Sequence, residues 1–262
     1  MTLVTGTSGF VGNKIMQVCK DVIACPSLRN ACEDDVKRIV CESGADTIIH
    51  SAAISDIGEC EKDPEASYTA NVLLPIYLAK ASKGIKLICF SSDQVYSGAK
   101  EFGPYTEDMV APKNIYSKHK LEMEQRVLDI DPDAVMLRAE WMYDLYTKKS
   151  NYFMNMINAK DTVFASSQEY RGITYVKEVA ENMEHVIALP GGAYNFGSET
   201  DKPMYEITKD FLALLHKDVP LADFASDRNL WMNCQKARNY GVDFSTVEDG
   251  LIKCARDYGY IS

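Results

Sequence analysis

The sequence predicts an α/β fold, namely a doubly wound parallel sheet with helices on both faces, followed by a small C-terminal lobe. Three observations lead to this prediction. A glycine-rich turn lies between a strand and a helix near residue 6, strand-like and helical stretches alternate after it, and the run at residues 46–50 is nearly all apolar. A strand of that kind is buried on both faces, which is typical of parallel sheets.

The first strand, at residues 3–4, leads into the turn Thr5-Gly6-Thr7-Ser8-Gly9-Phe10-Val11-Gly12 and then into a helix. Gly6 suits a tight turn with positive φ, Gly9 lets the backbone approach a pyrophosphate, and Gly12 lets the helix pack on the strand. Free N–H groups at the helix N-terminus would face the phosphates. An ordinary glycine turn is the alternative, but the strand–turn–helix order favours a dinucleotide site. Its predicted cofactor contacts are Gly6, Ser8, Gly9 and Gly12.

The second strand, residues 21–25, ends where a dinucleotide-binding fold contacts the adenosine ribose. An acidic residue there would accept a hydrogen bond from the 2′-hydroxyl, but residues 25–29 contain Arg29 and no acid. Arg29 can pair with a 2′-phosphate, so NADP(H) is slightly favoured over NAD(H), and a solvated surface arginine is the alternative. Next, Asn30 and Glu33 resemble a cap for a helix at residues 32–43.

The third strand, residues 46–50, is followed by Ala52, Ala53 and Ile54. Ligands of open α/β sheets bind outside the carboxyl ends of the strands. We therefore expect these residues to lie against the cofactor, with packing of the alanines in the core as the alternative.

A long helix is predicted at residues 63–82, with Asp63 as its cap and Pro64 at its first position. Pro75 lies inside it and cannot donate to the carbonyl four residues back, which is that of Asn71. We hypothesise that the freed Asn71 carbonyl faces the cofactor and holds a water in a proton relay. A simple kink is the alternative.

The fourth strand, residues 86–90, precedes Ser91, Ser92 and Asp93, at the strand end where catalytic residues of this architecture lie. A loop rich in glycine and proline follows it, and a helix is then predicted at residues 115–128. Asn114 caps that helix, and two of its residues, four apart, share one helix face: Tyr116 and Lys120.

These side chains suit the reduction of a carbonyl. A free tyrosine has a pKa of about 10, and the nearby ammonium of Lys120 would lower the pKa of Tyr116. Tyr116 would donate a proton to the carbonyl oxygen as hydride reaches the carbon, and Ser92 would polarise the same carbonyl. Tyr-x-x-x-Lys alone is common by chance, but its place after the glycine turn and the Ser92 hydroxyl is not.

This ordered set resembles the extended short-chain dehydrogenases/reductases, which have a Rossmann-type fold, and among them the dTDP-4-dehydrorhamnose reductase family. The resemblance is specific up to about residue 145 and thins towards residue 262. Its main segments are Phe90-Ser91-Ser92-Asp93-Gln94-Val95-Tyr96-Ser97-Gly98, Pro104-Tyr105-Thr106-Glu107, Tyr116-Ser117-Lys118-His119-Lys120-Leu121-Glu122 and Leu137-Arg138-Ala139-Glu140-Trp141-Met142-Tyr143.

The resemblance implies an NAD(P)-binding domain at residues 1–145 and a mixed substrate-binding lobe, with returning core elements, at residues 146–262. It implies that Ser92, Tyr116 and Lys120 are catalytic. It also implies that NAD(P)H is contacted by the last two and by Gly6, Gly9, Phe10, Val11, Gly12, Ala52 and Ala53. Ser92 stands where the family usually has threonine, and Gln94 stands where an aromatic residue is common. The predicted substrate contacts are Ser91, Ser92, Asp93, Trp141, Gln168 and Arg171.

The predicted substrate contacts towards the C-terminus also have purely structural interpretations. Trp141, after the fifth strand at residues 133–138, would pack against a sugar or base, or lie in the core. Gln168 and Arg171 lie in the stretch that lines the substrate pocket in the family, and an arginine fork suits a diphosphate. A structural salt link of Arg171 is equally compatible with the sequence. Further helices are predicted at residues 152–158, 175–188, 204–216 and 247–258.

Composition excludes several classes of partner. A net charge of −10 argues against nucleic acid and anionic membranes, and no apolar run has transmembrane length. The eight cysteines lack a Cys-x-x-Cys pair and are typical of reduced core thiols in a cytoplasmic protein. The four scattered histidines suggest no metal site. The first strand begins at residue 2, so we expect no signal peptide.

The leading hypothesis is an NAD(P)H-dependent reductase of a nucleotide-linked 4-keto-sugar. The first alternative is another extended-family enzyme, such as an epimerase; a dehydratase is disfavoured because Gln94, not glutamate, follows Asp93. The second is a non-catalytic NADP-binding regulatory subunit, because the regulatory beta subunit of methionine adenosyltransferase is similar to the same family. Extended reductases often dimerise through the Tyr-x-x-x-Lys helix, so the resemblance allows a homodimer.

Overall fold

The computed structural model describes residues 1–146, 148, 150–226 and 228–262. Its strands are β1 (Thr2–Thr5), β2 (Val22–Ala24), β3 (Thr47–His50), β4 (Lys86–Ser92), β5 (Val135–Ala139), β6 (Trp141–Tyr143), β7 (Val163–Ala165), β8 (Ile173–Tyr175), β9 (Gly192–Phe196) and β10 (Leu221–Asp223).

The helices flank these strands and alternate with them along the first half of the chain. They are α1 (Phe10–Val18), α2 (Glu33–Ser43), α3 (Ile57–Lys62), α4 (Pro64–Tyr68), α5 (Leu74–Ala81), α6 (Ile115–Ile130), α7 (Tyr152–Ile157), α8 (Val176–Glu181), α9 (Met183–Ile187), α10 (Met204–Leu214), α11 (Gln235–Arg238) and α12 (Val247–Asp257). A π-helical turn covers Thr69–Leu73 and a 3₁₀ helix covers Asp93–Tyr96.

The main sheet is parallel, and its strand order is β2-β1-β3-β4-β5-β9. The first crossover leads from β1 to one side, and the next leads to β3 on the other side of β1. Ligands of open α/β sheets bind outside the carboxyl ends of the strands at such a reversal. The predicted doubly wound sheet is confirmed, and the glycine turn follows β1 at this reversal point.

Neighbouring residues of the central strands alternate between two hydrophobic cores, one on each face of the sheet. Val4 and Ile49 pack in the core that includes residues of α1, α8 and α9. Leu3 and Ile48 pack in the core that includes residues of α2, α5 and α6. Burial on both faces explains why the run at residues 46–50 is nearly all apolar.

A third hydrophobic core lies in the C-terminal part of the chain. It contains residues of β6, α7, β8, α10 and α12, and Tyr143 and Phe153 are fully buried in it. Two short parallel pairs, β6 with β8 and β7 with β10, belong to this part. β9 instead joins the main sheet beside β5. The division of the chain at residue 145 stays a prediction.

Two predicted helices are interrupted. Between α4 and α5 lies the π-helical turn, in which the Leu74 N–H donates to the Thr69 carbonyl. Pro75 follows Leu74 as the second residue of α5, and the wider turn before it accommodates the proline ring, which the interior of an α-helix would not. The helix predicted at residues 175–188 is divided at Asn182, whose side chain donates to the Asp243 carbonyl.

The predicted cap of α2 is wrong. The Asn30 backbone is left-handed, with φ of 66°, so this residue lies in the turn before the helix. Cys32 is the N-cap, and the Asp35 carboxylate accepts a hydrogen bond from its backbone N–H. An acidic side chain three residues after the N-cap can accept from the backbone N–H of the N-cap, so it completes the cap whatever the identity of the N-cap residue.

The cysteines are all free thiols, and most are buried, as expected; Cys32 and Cys41 are exposed. No helix among the described residues is long and apolar enough to cross a membrane. In the same part of the chain, no group of His, Cys, Asp or Glu has the arrangement of a metal site.

Candidate active site

A cavity of about 740 Å³ opens at the carboxyl edge of the main sheet. It is bordered by the start of α1, by the ends of β3, β4 and β5, by the start of α6, and by segments of the C-terminal part. Twelve of the predicted site residues line it: Gly9, Phe10, Val11, Gly12, Ala53, Ser91, Ser92, Asp93, Tyr116, Lys120, Trp141 and Arg171. The others do not: Gly6, Ser8, Arg29, Ala52, Ile54, Asn71 and Gln168.

The glycine turn is built for close approach. Gly6 has φ of +70°, and a Cβ there would lie 2.8 Å from the Ala52 backbone nitrogen. A Cβ at Gly12 would overlap the Gly6 carbonyl. Gly6 is therefore a structural part of the turn, whereas Gly9 lines the cavity as the N-cap of α1.

The start of α1 suits a phosphate. Gly9 offers no side-chain cap, and the first turn of α1 carries no acidic residue. Its N–H groups and the positive end of the helix dipole are thus left for an anion. These features fit the pyrophosphate of a dinucleotide, and the cofactor contacts of the turn stay a prediction.

Asn71 belongs to the support of the cavity. Its side chain is buried in the π-helical turn, and its Nδ2 donates to the Ile54 carbonyl at 2.9 Å. This bond ties the turn to the segment that follows β3. The relay through the Asn71 backbone carbonyl stays a prediction.

Two neighbouring elements carry the catalytic candidates. Ser92 is the last residue of β4, and Tyr116 is the second residue of α6. Asn114 caps this helix as predicted, because its side chain accepts from the Ser117 N–H at 2.8 Å. Lys120 lies one turn further, and its Nζ donates to the Phe90 carbonyl at 2.8 Å.

Burial controls the protonation of this group. Desolvation raises the pKa of Tyr116, against the opposite effect of its hydrogen bond with Ser92. Desolvation also lowers the pKa of Lys120 to about 8. The expected lowering of the Tyr116 pKa by Lys120 is not observed: burial raises that pKa, and the Lys120 ammonium lies 5.8 Å from the centroid of the Tyr116 ring. Tyr116 is therefore protonated near neutral pH, as a proton donor must be.

Asp93 and Arg171 form a buried ion pair beside Ser92. The Ser92 hydroxyl donates to Asp93 Oδ1 at 3.0 Å, and Arg171 Nη2 donates to Asp93 Oδ2 at 3.0 Å. The guanidinium carbon of Arg171 lies 5.4 Å from the centroid of the Trp141 ring, which is 38% exposed. The salt-link alternative for Arg171 thus describes its contact with Asp93, while the residue also lines the cavity.

The other predicted substrate contacts differ in environment. The Ser91 hydroxyl donates to Glu124, which forms a buried ion pair with Arg138. Ser91 thereby contributes to a buried network as well as to the cavity wall. Gln168 and Arg29 are exposed, and their roles stay predictions.

A comparison with known families decides the relationship of the chain. A family model described as the RmlD substrate binding domain matches residues 1–225. The chain belongs to this family.

Several known proteins resemble this RmlD-family chain. It is 33% identical to a dTDP-4-dehydrorhamnose reductase of Mycolicibacterium smegmatis over 54% of this chain, and the match spans 45% of that relative. It is 30% identical to methionine adenosyltransferase 2 subunit beta of Xenopus laevis, over 78% of this chain and 69% of the relative. The Bacillus anthracis dTDP-4-dehydrorhamnose reductase, solved with NADP, matches with a TM-score of 0.85 at 21% identity, covering 98% of each chain. That structural likeness shows the fold.

Sequence reasoning missed several cavity residues of this RmlD-family chain. Glu140 lines the cavity, and its position directly after β5 is the signal in the sequence that marks it. Tyr146 and Arg228 reach the cavity from the C-terminal part, and the Tyr146 ring contacts that of Phe10 with centroids 5.1 Å apart. No local pattern places these residues, because they lie far along the chain from the glycine turn.

Proposed function

We propose that this RmlD-family protein is an NADP(H)-dependent reductase of a nucleotide-linked 4-keto-sugar. One observation carries the proposal: Ser92, Tyr116 and Lys120 line the same cavity as the glycine turn at the start of α1. The cavity is thus continuous from a phosphate-binding helix terminus to a proton donor. Its volume of about 740 Å³ is large enough for a substrate beside a cofactor's reactive end.

Each catalytic residue has a defined task in this proposal. NADP(H), when bound by Gly9, Phe10 and the N-terminus of α1, supplies the hydride. Tyr116, protonated because of its burial, donates its proton to the carbonyl oxygen. Ser92 polarises the same oxygen as a hydrogen-bond donor. Lys120, one helical turn beyond Tyr116, contacts the bound cofactor, and its ammonium lies 5.8 Å from the centroid of the Tyr116 ring.

The preference for NADP(H) over NAD(H) belongs to this proposal. It is supported by Arg29 and by the absence of an acid in residues 25–29 after β2. The related B. anthracis structure contains NADP.

The decisive experiment follows the loss of NADPH and NADH absorbance with a panel of nucleotide-linked 4-keto-sugars. Wild-type protein and Tyr116→Phe are compared, with Tyr205→Phe, on α10, as the matched control. We expect turnover in wild type and control, and a loss of at least about 100-fold in Tyr116→Phe, the usual contribution of a general acid. An epimerase would convert sugars without net loss of NADPH. Absence of turnover despite tight NADPH binding would contradict the proposal.

A regulatory subunit is the second candidate, favoured by the 30% identity to methionine adenosyltransferase 2 subunit beta of Xenopus laevis. The complete set of Ser92, Tyr116 and Lys120 in one cavity favours catalysis instead. Binding of a methionine adenosyltransferase catalytic subunit, without turnover of any sugar nucleotide, would support the second candidate. A cytoplasmic location and a homodimer complete the proposal.

A further inference from the structure

Two buried side chains near Ser92 carry polar atoms without a hydrogen-bond partner among the described residues. They are Glu140, directly after β5, with an unpaired Oε1, and Arg171, before β8, with an unpaired Nε. Their exposed fractions are 6% and 4%, and both residues line the cavity. Unpaired buried polar atoms are costly, so their presence beside the catalytic hydroxyl calls for a role there.

The Glu140 carboxyl has a built position. A methyl group added at Gly172 or Gly197 would overlap its oxygens, so the backbone leaves space for them. The Ser198 N–H donates to the Thr174 hydroxyl at 2.9 Å, and that hydroxyl donates to Glu140 Oε2 at 3.0 Å. Three segments of chain therefore hold this carboxyl in place.

Arg171 acts on Ser92 through Asp93. The two oxygens of Asp93 accept from Arg171 and from the Ser92 hydroxyl. A hydroxyl has one proton, so Ser92 cannot donate to Asp93 and to a substrate carbonyl together. A more negative Asp93 holds that proton more tightly, and the guanidinium offsets the charge.

The charge of Glu140 determines how strongly the Arg171 guanidinium offsets the negative charge of Asp93. Burial and the charge of Asp93 raise the pKa of Glu140 well above its usual range, against a smaller lowering by Arg171. A protonated Glu140 adds no charge beside the ion pair of Arg171 and Asp93. An ionised Glu140 adds a negative charge to those of Asp93 and Glu169, the two carboxylates that face the Arg171 guanidinium. The other titratable groups that face these two side chains are Cys234, Glu169 and Arg228.

We propose that Arg171 and Glu140 are positioning residues that set the direction of the Ser92 proton through Asp93. The inference rests on the proposed role of Ser92 in carbonyl reduction. While Glu140 is neutral, the Ser92 proton is free to turn to the substrate. Once Glu140 ionises, Asp93 holds that proton and the reduction slows.

The first test reads the electrostatics at position 92 without turnover. In the variant Ser92→Cys, the pH dependence of iodoacetamide alkylation gives the pKa of the introduced thiol, since the thiolate is the reactive form. Peptide mass spectrometry separates it from the eight native cysteines. Adding Arg171→Met is expected to raise this pKa by about one unit. The Asp93 carboxylate then lacks its guanidinium partner and disfavours the negative charge of the thiolate. Arg171→Lys should restore most of the difference, and Glu140→Gln should lower the pKa.

An unchanged thiol pKa in both Arg171→Met and Glu140→Gln, with melting temperatures showing folded protein, would overturn the inference. The thiol measurement stands even if wild type reduces no sugar in the panel, so failure of the proposed function and failure of this inference are distinguishable.

The second test compares the pH profiles of kcat. Lys120, whose pKa is about 8, also titrates at alkaline pH, so the informative quantity is the difference between variants. In Glu140→Gln the alkaline fall in kcat should move to higher pH, because the side chain at position 140 can no longer become negatively charged. The exposed Glu206, changed to glutamine, is the matched control and should follow wild type. Coinciding profiles of wild type and Glu140→Gln would contradict the inference.

Discussion

Tyr116 and Lys120 obtain their chemistry from burial as much as from their spacing. Both side chains are nearly inaccessible, so desolvation raises the pKa of the phenol and lowers that of the ammonium to about 8. The Lys120 ammonium donates to the Phe90 carbonyl, which holds it at the cavity wall. A four-residue spacing on an exposed helix would give neither effect.

Arg29 carries a prediction at this scale. If it binds the 2′-phosphate, Arg29→Ala should raise the KM for NADPH about tenfold, the loss of one charge-assisted contact, and leave the KM for NADH unchanged. Steady-state kinetics with each cofactor measures this. Arg38→Ala, which removes another exposed arginine, is the control and should change neither KM. An equal rise for both cofactors in Arg29→Ala would assign the residue to general binding.

At the scale of elements, α6 joins the catalytic candidates Tyr116 and Lys120 to the sheet. Its cap, Asn114, accepts from the Ser117 N–H, and the Ser117 hydroxyl accepts from the Asn114 N–H. Two turns further, Glu124 pairs with Arg138 of β5, with Nη2 and Oε2 2.7 Å apart. The helix is thus held at its first turn and at its middle, which places Tyr116 against Ser92.

The cap of α6 allows a matched pair of variants. Asn114→Ala should lower the free energy of unfolding by about 1 kcal/mol and also lower kcat, because Tyr116 lies in the loosened first turn. Thr246 caps α12 by accepting from the Asp249 N–H and does not line the cavity. Thr246→Ala should cost a similar stability without changing kcat. Denaturant titration and turnover assays measure both, and equal effects on kcat would refute a special role of the α6 cap.

At the scale of the whole molecule, a histidine is buried within the parallel sheet. His50, the last residue of β3, shares a hydrogen bond of 2.8 Å with the Thr5 hydroxyl, and burial lowers its pKa from 6.5 to about 3, with a further lowering by Lys120. The native state therefore contains neutral His50 over most of the acidic range. The unfolded state binds a proton there and the native state does not.

This difference makes stability depend on pH with a defined sign. Because the folded pKa lies below the unfolded one, stability is lost as pH falls from 6.5 towards 3. Between pH 6.5 and pH 4.5 His50 should account for a loss of about 2–3 kcal/mol in the free energy of unfolding. His50→Gln should remove this part, whereas His216→Gln, at an exposed position, should keep it. Denaturant unfolding at both pH values measures this loss. An equal loss of unfolding free energy in wild type and in His50→Gln would contradict the assignment to His50.

The fold and the catalytic triad candidates were predictable because their signals are local. The glycine turn, the apolar run at residues 46–50 and the Asn114 cap each act within a few residues of chain. The division of the helix at Asn182 was not predictable, because it depends on a partner elsewhere: the Asn182 side chain donates to the Asp243 carbonyl, sixty-one positions away. The interruption before Pro75 has a local signal, which is the proline itself.

By itself, the sequence determined the doubly wound sheet, the place of the glycine turn, and the spacing of Tyr116 and Lys120. Periodicity and glycine placement express backbone geometry directly, so these features need no tertiary information. Only the tertiary structure decided that Arg171 pairs with Asp93 and that Glu140 lies buried beside them. Such pairings join segments far apart in the chain. The pKa shifts of the buried residues arise from desolvation, which exists only once the cores have formed.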